Sequence, residues 1–169
     1  MAVLRLVAAA AIAVIGCRAS EAGPGSGLTP PAGWHALPSL ATAATDAARN
    51  AGIKVEGAEA WGEPARGCYA AWMGLAGGKA APEALADQLV TSLSAEPSLA
   101  GITVRDVVKP AAGAAAGTLS LGFTRAPYTG TLRAQLVKDG HVALLACFWN
   151  EREPVACETA CTQLVGSMK

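Results

Sequence analysis

The C-terminal third of the chain carries the pattern that most constrains the fold. Asp139-Gly140 separates two runs of strand-forming residues, 129–137 and 142–149. An Asp-Gly pair suits a type I′ turn, whose positive φ angles match the twist of paired strands, so we predict a β-hairpin here. Residues 142–149 are apolar almost throughout, which is typical of a strand buried on both faces. The sequence therefore predicts an antiparallel sheet in which this last strand is central.

A closing helix is predicted over residues 154–168. Cys157, Cys161, Leu164 and Met168 follow one another at i, i+4, i+7 and i+11, so they share the helix face that would pack on the sheet. Apolar periodicity, caps and turn residues predict the remaining elements, which are helices over 39–51 and 82–95 and strands over 53–61, 67–75, 102–107 and 118–124. This order predicts an α+β domain, an antiparallel sheet with helices packed on it.

The N-terminus has the layout of a secretory signal. Arg5 precedes an apolar stretch, residues 6–16, which is shorter than the roughly 20 residues needed to cross a bilayer. The stretch ends in Val14-Ile15-Gly16-Cys17, which resembles the lipobox of bacterial lipoproteins. The resemblance implies removal of residues 1–16 and lipidation of Cys17. An ordinary secretory peptide with an incidental cysteine is the alternative.

The lipobox also implies a location and a domain boundary. Residue 18 is Arg rather than Asp, which resembles the sorting pattern of outer-membrane lipoproteins. We therefore expect a lipid-anchored protein of the cell envelope, on the outer membrane and facing the periplasm. Residues 17–33 are rich in Gly, Pro and Ser and predict a flexible tether. Residues 34–169 have a length that suits a single folded domain.

Four cysteines remain once Cys17 carries lipid: Cys68, Cys147, Cys157 and Cys161. An even number in an exported domain favours disulfide bonds, and a zinc site using the two helical cysteines is the alternative. A bond between Cys157 and Cys161 within a regular helix has poor geometry. Of the two remaining pairings, the short connection favours Cys147–Cys157 with Cys68–Cys161, and Cys147–Cys161 with Cys68–Cys157 stays open.

The charged residues point away from nucleic acid and from catalysis. Without residues 1–16 the chain has 12 basic and 13 acidic side chains and no block of like charge, whereas a nucleic-acid-binding domain would be expected to show a basic face. The two histidines, His35 and His141, lie at the domain start and after a hairpin turn. Glu56, Glu59 and Glu63 cannot all share one strand face. We therefore predict no enzymatic activity, no cofactor and no metal.

Tryptophan supplies the most distinctive apolar surface. Trp61, Trp72 and Trp149 lie on predicted strands and are candidates to line a groove for an apolar ligand. The alternative is that these bulky side chains fill the core between the sheet and the helices. The first functional hypothesis is a non-enzymatic accessory domain that binds an envelope protein. A carrier or sensor of a small apolar ligand is the alternative, and a hydrolase of envelope material ranks third.

A family resemblance covers residues 34–169. It lies in the element order, the Pro-Ala-Gly lead-in to Trp34, the segment TGTLRAQLVKDGHVALLACFWN and the final Leu164-Val165-Gly166-Ser167-Met168. These features resemble the PsbP-like (Mog/PsbP) domain, an α/β/α sandwich found in photosystem accessory proteins, Ran-binding proteins and many bacterial lipoproteins. The resemblance implies a three-layer scaffold. It implies no catalytic residue, because members share the scaffold rather than a reaction.

Overall fold

The structure, a computed structural model, describes residues 25–50, 52–76, 80–95, 101–137, 140–152 and 154–168. Within these ranges the chain forms seven strands and three α-helices. In chain order they are β1 (His35–Ala36), α1 (Pro38–Asn50), β2 (Lys54–Glu63), β3 (Cys68–Ala76), α2 (Pro82–Ala95), β4 (Thr103–Val108), β5 (Ala116–Arg125), β6 (Tyr128–Val137), β7 (His141–Asn150) and α3 (Pro154–Ser167).

All seven strands belong to one antiparallel sheet with the order β1-β2-β3-β7-β6-β5-β4. The α+β class is therefore confirmed. The expectation that the last apolar strand is central is also confirmed, because β7 lies fourth of seven and its side chains are buried on both faces. Hairpins join β5 to β6 and β6 to β7. In the predicted Asp139-Gly140 turn, Gly140 has a positive φ of +89°. Asp139 lies outside the described residues.

One face of the sheet packs against α1 and α2 and forms what we call the first core. Leu144 and Phe148 of β7 point into it together with residues of the neighbouring strands. From the helices it receives Leu40, Ala44 and Ala48 of α1 and Leu85, Ala86, Leu89 and Leu93 of α2. Both helices therefore bury one apolar stripe, as amphipathic surface helices do.

The opposite face packs against α3 and forms the second core. It contains the alternate side chains of β7, Leu145, Cys147 and Trp149. The predicted inner stripe of α3 is confirmed, because all four of its members are at most 5% exposed: Cys157, Cys161, Leu164 and Met168. Near the helix end, Nη1 of Arg133 on β6 donates to the carbonyl oxygen of Val165 at 3.1 Å. The sheet thus lies between two helical layers.

Part of the segment predicted as a flexible tether contacts the folded domain. Residues 25–34, which we call the strap, lie against the second core. The backbone N–H and the hydroxyl of Ser26 both donate to the carboxylate of Glu59. Leu28 packs against the second core, and Trp34 is buried in it. Residues 25–33 therefore contact the folded domain through Ser26 and Leu28.

Two further details differ from the sequence prediction. The two-residue strand β1 was not predicted, and it pairs His35 and Ala36 with the end of β2. The turn between β2 and β3 lies later than expected, since β2 continues to Glu63 and a 3-10 turn covers Pro64–Arg66. Gly67 follows in the left-handed region with a φ of +68°, a conformation that glycine adopts without steric cost.

Candidate functional site

The predicted membrane anchor precedes the described residues. The signal segment 1–16 and the lipidation site Cys17 both lie outside them. In the part of the chain that is described, no helix is long and apolar enough to cross a membrane. Lipidation of Cys17 therefore remains a prediction from the lipobox.

The four remaining cysteines form two disulfide bonds. Cys68 bonds to Cys157 and Cys147 bonds to Cys161, with Cα–Cα distances of 5.5 and 5.7 Å. Both distances lie inside the usual range of about 4.4–6.8 Å. The prediction of disulfides is confirmed. The predicted pairing, Cys147–Cys157 with Cys68–Cys161, is wrong, and the pairing that the sequence left open is the one observed.

The register of β3 against β7 explains this pairing. Cys68 lies opposite Trp149, two residues beyond Cys147 and closer to the end of β7 from which α3 departs. Because α3 folds back over β7, Cys157 in its first turn meets Cys68, and Cys161 one turn later meets Cys147. Four helical residues advance about 6 Å and two strand residues about 6.7 Å, so the spacings match. The prediction failed because it used distance along the chain instead of position along the strand.

The disulfides replace the zinc alternative. Cys157 and Cys161 are each bonded to a different strand, so neither thiol is free to ligate a metal. Among the residues that the structure describes, no three His, Cys, Asp or Glu side chains come together as a possible metal site.

The tryptophans come together, but as core residues. Trp61 and Trp149 are 7% and 3% exposed, and both belong to the second core. Trp72 is partly buried and packs against the same cluster, as does Leu28 of the strap. The three groove candidates therefore share one cluster, which also contains residues of α3 and the strap. In this structure they fill the interior and do not line an open groove.

The polar candidates separate from one another. The carboxylate of Glu59 accepts hydrogen bonds from Ser26 of the strap. Glu56 pairs with Nδ1 of His141 at 3.1 Å, and Glu63 pairs with Arg66 at 3.6 Å. The other histidine, His35, is exposed on β1. Each carboxylate therefore has its own partner, and the three do not converge on a common point where they could act on a substrate.

An aromatic cluster that the sequence did not predict lies on the first-core side. The rings of Tyr69 and Phe148 stack with centroids 5.3 Å apart, and Tyr128 meets both edge-on at 6.2 and 6.0 Å. Burial, and then the proximity of Tyr128, raise the pKa of Tyr69. The three residues are far apart in sequence, on β3, β6 and β7. Only the strand register could have revealed the cluster.

Two exposed apolar side chains lie at one edge of the sheet. Strand β4 is the outer strand next to β5, and all but one of its residues are exposed. Val107 is 38% and Val108 is 63% exposed. Asp106 has a φ of +54°, at a point where the register against β5 shifts between Arg105 and Val108. This edge is therefore bulged and apolar at its C-terminal end.

Comparison with known proteins finds no matching family model and no matching curated protein.

Proposed function

We propose that this protein is a lipid-anchored domain of the bacterial cell envelope, without enzymatic activity, that binds another envelope protein. The lipobox at Cys17 supports the anchor, and Arg18 favours the outer membrane with the domain facing the periplasm. The two buried disulfides are typical of an exported domain. The PsbP-like resemblance favours an accessory role, because that scaffold is found in photosystem accessory proteins and Ran-binding proteins.

The observation that carries the binding role is the exposed edge strand β4. An outer strand presents unpaired backbone N–H and C=O groups to any extended segment that approaches it. Here the edge also carries Val107 and Val108, which are exposed. The bulge at Asp106 interrupts the edge and restricts indiscriminate pairing. We therefore propose that the partner supplies a short extended segment with an apolar side chain, which adds as a strand beside β4.

The carrier alternative has less support. A carrier would need a concave apolar pocket that is open to its ligand. Trp61 and Trp149 are instead packed beneath α3 and the strap. The hydrolase hypothesis has less support still, because Glu56, Glu59 and Glu63 each hold a separate partner.

Cys17→Ser is expected to release the protein from the membrane. A protein with two or more acyl chains is stably anchored, whereas the unmodified chain has no comparable affinity for lipid. Intact mass of the membrane-extracted wild type should show loss of residues 1–16 and added acyl mass. If the Cys17→Ser variant stays with membranes through high-salt and carbonate washes, the proposed anchor is wrong.

The role of β4 can be tested with a photo-crosslinking residue at position 107 in native cells. We expect one discrete adduct, and its yield should fall about fivefold when Val108→Lys is added, a change of about 1 kcal/mol. Val155 is a matched control, because it is an exposed valine on α3 with 76% exposure. Val155→Lys should leave the adduct at position 107 unchanged. Equal losses from both lysine variants, or no loss from Val108→Lys, would contradict the docking of a partner at β4.

A further inference from the structure

Arg125 occupies an unusual position at the end of β5. It lies directly opposite Tyr128 across the two-residue connection Ala126-Pro127. Side chains two residues apart on a strand share a face, so Arg125 lies on the same side of the sheet as Phe123 of the first core. Directly opposed residues of an antiparallel pair have Cβ atoms roughly 4.5–5.5 Å apart. Arg125 and Tyr128 are therefore direct cross-strand neighbours.

Arg125 forms no ion pair with another residue that the structure describes. Its Nη1 atom is fully buried and has no hydrogen-bond partner among the described residues. The carboxylate of Glu63 is already paired with Arg66. A buried donor without a partner is costly, and more so when it is charged. A ligand that supplied oxygen acceptors would remove this cost.

Two tyrosine rings pack against each other next to the backbone position of Arg125. The rings of Tyr69 and Tyr128 are 6.2 Å apart between centroids. Neither hydroxyl forms a hydrogen bond within the described part of the chain. Both groups can therefore donate to a ligand. Burial, and then the proximity of Tyr128, raise the pKa of Tyr69, so its phenol keeps its proton well above neutral pH.

The position of these rings is fixed by the sheet beneath them. Tyr69 lies opposite Phe148, which in turn lies opposite Gly130 of β6. A Cβ atom on Gly130 would lie 2.7 Å from Cζ of Phe123 and 2.9 Å from Cβ of Phe148. The absence of a side chain at Gly130 lets Phe123 and Phe148 approach its backbone closely. Phe148 in turn contacts the rings of Tyr69 and Tyr128.

We propose that Arg125, Tyr69 and Tyr128 form a binding site for an oxyanion group, a carboxylate or a phosphate. A guanidinium matches the two oxygens of such a group with two parallel N–H donors. The two phenols donate to its remaining acceptor positions. The site lies on the first-core side of the sheet at the β5–β6 turn, and it is independent of the partner proposed for the edge of β4.

The test uses the oxidised full-length chain in detergent. Sodium phosphate and sodium acetate are titrated separately at constant ionic strength against chloride, with backbone amide NMR of Arg125 and Tyr128 as the readout. We expect saturable shifts, and the tighter of the two anions identifies the source as phosphate or carboxylate. Arg125→Gln should weaken that binding about tenfold or more, since it removes a charge-assisted pair. Tyr69→Phe with Tyr128→Phe should weaken it less, because both rings remain.

Arg152→Gln is the matched control, because Arg152 is exposed in the turn after β7 and its loss changes the net charge equally. It should leave the affinity within about twofold, as expected for a screened surface charge. Thermal unfolding gives a second measurement, in which the tighter anion should raise the Tm of the wild type and of Arg152→Gln but not of Arg125→Gln. The proposal fails if neither anion gives a saturable shift, or if Arg125→Gln and Arg152→Gln bind equally well.

Discussion

Replacing Cys68 and Cys157 together with alanine is expected to lower the free energy of unfolding by about 4–5 kcal/mol, and the same change at Cys147 and Cys161 by about 3 kcal/mol. A disulfide stabilises mainly by restricting the unfolded chain, and a longer loop is restricted more. The sequence separations are 89 and 14 residues. Both double variants remove the same atoms from positions that are at most 1% exposed. The cavity costs should therefore largely cancel in the comparison.

Urea unfolding of the two double variants, with the midpoint and slope fitted separately, measures this difference. The pairing itself can be checked on the oxidised protein by cleavage after Arg152 and Glu158 without reductant. The expected products link the peptide containing Cys68 to residues 153–158 and the peptide containing Cys147 to residues 159–169. Equal losses of stability would argue against the loop-length account. Recovery of the Cys68 peptide linked to residues 159–169, and of the Cys147 peptide linked to residues 153–158, would overturn the pairing.

Most of the fold could be predicted because it depends on local pattern. The apolar alternation of the strands, the inner stripe of α3 and the central run of β7 are all visible in sequence. Strand β1 could not be predicted, because two residues carry no periodicity. The strap could not be predicted either, since Ser26 and its partner Glu59 are 33 residues apart. A Gly- and Pro-rich composition predicts flexibility only where no such partner exists.

The candidate site was less predictable, because it depends on which strands become neighbours. The four cysteines were identified correctly, yet their pairing required the register of β3 against β7. The tryptophans were named as candidates to line a groove, but their burial depends on α3 and the strap, which sequence pattern alone does not place over them. Arg125 drew no attention in sequence, because a lone arginine beside a turn is ordinary. It becomes notable only when its buried Nη1 is seen to lack a partner.

Trp149→Ala is expected to lower the free energy of unfolding by about 3–5 kcal/mol, because it empties a large volume at the centre of the second core. Trp149 is 3% exposed, on the central strand β7 two residues after Cys147. Natural domains have only about 5–15 kcal/mol of total stability, so the variant should be close to unfolding at moderate temperature. Trp72→Ala should cost less, because that side chain is only partly buried.

Trp149→Phe separates a core role from a ligand-lining role. The indole Nε1 of Trp149 is buried and has no hydrogen-bond partner among the described residues. Phenylalanine removes this unsatisfied donor, whose burial costs about 1–3 kcal/mol, and that gain offsets part of the lost packing. We expect Trp149→Phe to stay within about 1 kcal/mol of wild type while Trp149→Ala does not. A groove-lining tryptophan would instead tolerate alanine with little loss of stability, so a Trp149→Ala protein that unfolds at the wild-type urea midpoint would restore the carrier hypothesis.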